Sequence, residues 1–72
     1  DLDGALASLA ALVRRWPQTP DAAEAQLRIA SLLWNRDRNA EAAAEFRTFL
    51  ARHPRHARAP EARYALARIA DS

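Results

Sequence analysis

Apolar residues recur at intervals of three and four in four blocks, which prolines and polar runs separate. That spacing lines one side of an α-helix. The first block predicts a helix over 2–15: Leu2, Leu6, Leu9, Val13 and Trp16 form a stripe, with Leu12 beside it. Asp1 or Asp3 can cap its start. Pro17 ends it, because the residue before a proline avoids the helical region. The second block predicts a helix over 20–35. Thr19 suits its N-cap, and Pro20 suits the first helical position, where a missing N–H costs nothing. Asp21 and Glu24 sit near the positive end of the helix dipole.

This second helix carries two apolar stripes. Ala22, Ala25, Ile29 and Leu32 form one; Ala23, Leu27, Ala30 and Trp34 form the other. A helix that is apolar on two sides is buried on two sides. The third block predicts a helix over 39–52, with Ala42, Phe46, Phe49 and His53 in line and Ala43 and Leu50 adjacent. The fourth predicts a helix over 58–70 with Ala59, Ala62, Leu66 and Ile69 as its stripe. Pro60 suits a start nearer Ala59 than His56. The connections are short, so neighbouring helices run antiparallel.

The second half repeats the first. Shifted by 37 residues, Arg15, Pro17, Ala22, Glu24, Ala25 and Ala30 fall on Arg52, Pro54, Ala59, Glu61, Ala62 and Ala67. Leu9, Leu12 and Val13 fall on Phe46, Phe49 and Leu50. A helix pair recurring at such a period makes a solenoid, in which each unit buries its face only against a neighbour. The expected fold is all-α: an antiparallel helix-hairpin solenoid of four helices.

Between Ala23 and Pro54 the residues resemble the tetratricopeptide repeat. Leu27 and Ile29 supply bulk in the first helix of the hairpin, and Ala30 is the small residue that lets the helices approach. Leu33 takes a bulky position, Ala42 is the small residue at the crossing, Phe46 is the aromatic of the hairpin core, and Pro54 closes the unit. Gln26 departs from the pattern where tryptophan is common, and Asp37 where the turn has glycine. Phe49 stands for an alanine, which implies looser or shifted packing. The period also exceeds the roughly 34 residues of the family. The proline-containing linker resembles the bacterial cell-envelope subset, which includes outer-membrane assembly lipoproteins and Tol–Pal-associated proteins.

The resemblance implies a second half-repeat over 1–17, a complete repeat over 18–54 and a first half-repeat over 55–72. It implies a piece of a longer protein with an apolar face at each end. It also implies a non-catalytic scaffold that binds a protein or peptide segment in a concave groove lined by the first helices. The groove positions are Leu27, Arg28, Ser31, Trp34 and Asn35, then Tyr64 and Arg68. The alternative is a structural segment that self-associates through its end helices, with Leu2, Leu6, Leu9, Leu66 and Ile69 in the contact. The lysine-based carboxylate clamp of the chaperone-binding subset is not expected, since lysine is absent.

Composition agrees and excludes some chemistry. Half of the residues are hydrophobic, mostly alanine, and there is one glycine, which favours helix. The chain has no cysteine, so neither disulfides nor thiolate metal sites form. No stretch approaches the ~20 apolar residues of a membrane span. The net charge is only +2, a weak sign for any anionic partner.

Ser8, Ser31 and Ser72 have no histidine within helical reach, and no acid–base pair assembles, so neither catalysis nor a cofactor is expected. His53 and His56 flank Pro54 without an obvious third ligand. They read as loop histidines, one of them a cap, and no metal is expected. Arg52, Arg55, Arg58, Arg63 and Arg68 lie at mixed helical angles among Glu61 and Asp71. They read as a solvated face with local salt bridges; the alternative is an anionic partner, either an acidic peptide or a phosphate backbone, and a nucleic-acid partner is not expected. Trp16 is expected to pack on the next hairpin. Trp34 belongs to the core or to the groove.

Overall fold

The computed structural model describes residues 2–16 and 19–71. Asp1, Pro17 and the side chain of Leu2, each given a role above, lie outside that description. Four α-helices follow one another: α1 (Leu2–Arg15), α2 (Pro20–Asn35), α3 (Asn39–Arg52) and α4 (Ala59–Asp71). No strand occurs among the described residues. The chain is an all-α, helical-repeat fold.

The molecule measures 34 × 31 × 14 Å, so it is little more than one helix thick. The main packing is between sequence neighbours, α1 on α2, α2 on α3 and α3 on α4. This explains the two stripes of α2: a helix in the middle of a row has two neighbours. Ala22, Ala23, Ala25, Leu27, Ile29, Ala30 and Leu33 are all buried there. Alanines at the crossings bring the helices close, and Phe46 and Phe49 fill the space beside them.

Local chemistry sets both ends of α2 and the start of α4. The Thr19 hydroxyl accepts from the Ala22 N–H at 3.1 Å and donates to the Trp16 carbonyl at 3.0 Å, so it caps α2 and ties back the end of α1. At the other end of α2, Asp37 has φ 60°. The Arg38 N–H reaches back to the Leu33 carbonyl at 3.0 Å and the Asp37 N–H to the Trp34 carbonyl at 3.1 Å. These two bonds and the left-handed residue between them close the helix in a Schellman motif. Aspartate does here what glycine does in the family pattern.

Helix α4 begins at Ala59, one residue later than the start predicted at 58, and Pro60 falls in its first turn. There a proline removes no helical hydrogen bond. The His56 Nδ1 accepts the Arg58 N–H at 3.0 Å just ahead of the helix. Asp3 lies in the first turn of α1, within the helix.

Two expectations change. Trp16 is 48 % exposed, with the Arg15 guanidinium 4.9 Å over its ring, and so does not pack into the next hairpin. Phe49, expected to pack more loosely or in a shifted place, is fully buried, with the rings of His53 and His56 against it at centroid distances of 5.7 and 5.4 Å. The larger side chain is accommodated because two linker histidines lie over it.

One buried polar contact has no sign in the apolar pattern. Gln26 sits inside the α2–α3 interface, where its amide donates to the Glu45 carboxylate at 2.6 Å. A charge-assisted bond of this kind offsets the cost of burying the amide.

Candidate functional site

Helices α2 and α4 occupy equivalent places in the repeat, on either side of α3. A cleft of about 450 Å³ opens between them. Its base is apolar: Leu27 from α2, Phe46 from α3 and Ala65 from α4 are all buried. Trp34 stands half-buried at one side, edge-on to Phe46 with ring centroids 6.0 Å apart and planes at 89°. This is the favoured T-shaped arrangement of two aromatic rings. Trp34 therefore belongs to the core and to the cleft together. Tyr64 rises from α4 and is 61 % exposed.

The rim of the cleft is polar and held in place. The Arg58 guanidinium bridges Glu24 of α2, at 2.6 Å, and Glu61 of α4, at 2.5 Å. The hydrogen bond to Glu61 is the main cause that holds the Arg58 pKa above its ordinary value; burial lowers it, and Glu24 raises it again. All three side chains are about half exposed, so the bridge adds little stability. Its effect is geometric: it spans from α2 to α4 beside the cleft.

Of the residues the sequence pointed to, Leu27, Ser31, Trp34 and Tyr64 line this one cleft. Arg68 does not line it but lies 5.8 Å over the Tyr64 ring, a cation–π contact that steadies the tyrosine. Arg28 lines a different depression, with Leu9, Leu12 and Asp21 between α1 and α2. Asn35 is exposed at the last position of α2 and lines neither depression. Phe46, Arg58, Pro60, Glu61 and Ala65 complete the cleft and were not singled out for it. Of these only Glu61 had a signal in the register, since the shift of 37 residues carries Glu24 onto it.

No group of three metal-ligating side chains comes together among the described residues. No described helix is long and apolar enough to cross a membrane.

The comparisons with known proteins support the repeat reading. The family model of the tetratricopeptide repeat matches residues 1–57 and again residues 27–72. No curated protein and no solved structure matches the chain. Tetratricopeptide repeats generally mediate protein–protein interaction and are typically non-catalytic scaffolds. The two matches together span all four helices, and the chain belongs to the tetratricopeptide repeat family.

Proposed function

We propose that the chain binds a segment of a protein partner in the cleft between α2 and α4. The observation that carries this reading is Tyr64. Tyr64, 61 % exposed and steadied by Arg68, stands beside a half-buried tryptophan and above an apolar base, and offers an exposed aromatic surface. Tyrosine, tryptophan and arginine dominate the energetics of protein interfaces. The apolar base suits an apolar or aromatic anchor residue of the partner. The Arg58–Glu61 rim suits polar atoms on either side of that anchor.

A random peptide library selected on the immobilised chain tests this. Enriched peptides are expected to bind the wild-type chain and to lose about tenfold or more in affinity on Tyr64→Ala. Peptides that bind both chains equally well would contradict the reading.

The half-repeat arrangement over 1–17, 18–54 and 55–72 supports a second role, in which end helices α1 and α4 pack on further copies. Half-buried Leu6 and Leu9 in α1 and Leu66 and Ile69 in α4 favour it. Sedimentation at rising concentration distinguishes the two: concentration-dependent mass supports end pairing, and constant mass excludes it. The proline linker supports placing the chain in the cell-envelope subset of the family.

A further inference from the structure

The repeated linker differs between its two copies. Where the first reads Arg15, Trp16, Pro17, Gln18 and Thr19, the second reads Arg52, His53, Pro54, Arg55 and His56. The second copy has gained Arg55 and two histidines, and the α2–α4 cleft does not use them. Arg52, His53, Arg55 and His56 instead gather around a depression of about 350 Å³ facing Thr19, Pro20 and Ala23. No carboxylate lines it among the described residues.

The polar groups here differ in what they have left to offer. Thr19 is committed to capping α2. The His56 Nδ1 accepts the Arg58 N–H, and its Nε2 lies 3.9 Å from Glu24, beyond hydrogen-bond reach. Its ring forms a wall. The ring nitrogens of His53 make no hydrogen bond among the described residues, and Arg52 and Arg55 make no ion pair there. Burial lowers the His53 pKa from its ordinary 6.5, and the neighbouring His56 and Arg52 lower it further. Thus the nearby charges repel a proton on His53. Uncompensated positive charge of this kind, in a concave site, concentrates anions.

We propose that this depression binds a phosphate monoester, with the Arg52 and Arg55 guanidinium groups and the His53 imidazole as donors. Guanidinium matches phosphate oxygens in pairs, and two such groups balance a dianion. A carboxylate or a phosphate diester brings only one negative charge to the same donors. The monoester can be free inorganic phosphate or a phosphorylated serine on a partner. The site shares no lining residue with the α2–α4 cleft, so it stands or falls separately from that reading.

The test follows the histidine ring signals of the nitrogen-15-labelled chain near neutral pH at constant ionic strength. The probes are inorganic phosphate, capped phosphoserine, dimethyl phosphate and acetate. Phosphate or phosphoserine is expected to shift the His53 signals saturably, about tenfold more tightly than dimethyl phosphate or acetate. Arg52→Gln and Arg55→Gln are each expected to weaken binding about tenfold, while Arg63→Gln on α4 leaves it unchanged. Tighter binding of phosphoserine assigns a phosphorylated partner; saturation by inorganic phosphate alone assigns the free ion. Shifts that never saturate, an equal response to acetate or dimethyl phosphate, or an equal loss in Arg63→Gln would overturn the proposal.

Discussion

Leu27 and Tyr64 hold the same place in successive repeats and line the same cleft, one buried at its base and the other exposed at its side. The register preserves the position while the side chain changes from packing to display. Leu27→Ala is expected to cost about 3 kcal/mol of stability, as for a buried leucine. Tyr64→Ala is expected to change stability by no more than about 0.5 kcal/mol. Urea unfolding of the two variants decides it; an equal loss in both would mean that Tyr64 is a core residue.

Gln26 and Glu45 join α2 to α3 through one short bond inside the interface. Removing the amide leaves the carboxylate partly buried without its donor. Gln26→Ala is expected to lower stability by about 2 kcal/mol. A double-mutant cycle with Glu45→Ala isolates the pair. Additive losses in that cycle would show that the two side chains do not act together.

Asp37 holds a left-handed backbone at the end of α2. A side chain there carries a steric cost that glycine avoids. Asp37→Gly is expected to raise stability by about 0.5–1 kcal/mol, and Asp37→Val to lower it by at least about 1 kcal/mol. Thermal melts give both values, and the reverse order would rule out the Schellman geometry.

His53 gives the fold an acid sensitivity. Burial first, then His56 and Arg52, lowers its pKa below 6.5 in the folded state. The unfolded chain therefore binds a proton at His53 more readily than the folded one. The contribution is fully present above 6.5 and is lost as pH falls toward the lower folded value. Urea midpoints at about pH 5 and pH 7.5 should differ more in the wild-type chain than in His53→Gln. The same difference in both would remove His53 from the account.

Much of this fold was legible in the sequence because its punctuation is explicit. Thr19 with Pro20 starts α2, the run from Asn35 to Asn39 separates two helices, and apolar spacing fills the intervals. The repeat added the order of packing. Less legible was anything that depends on which side of a helix meets which neighbour. Arg28 and Leu27 are adjacent in sequence, yet Arg28 turns toward α1 and Leu27 toward the cleft. Gln26 resembles a break in the apolar stripe until Glu45, 19 residues away, is seen across the interface. Trp16 was read as packing by its size, although a ring at the end of a helix can as well lie in solvent under an arginine. Arg58 looked like one basic residue among many, and only the fold brings Glu24 and Glu61 to it.

The most direct test of the account uses Trp34 as its own reporter. Trp16→Phe leaves Trp34 as the one tryptophan in the chain. A library-selected peptide that occupies the cleft should shift Trp34 emission saturably, and Tyr64→Ala should move the midpoint about tenfold or more to higher concentration. Saturable binding of that peptide, measured by its own label, with Trp34 emission unchanged would contradict a cleft between α2 and α4 as the binding site.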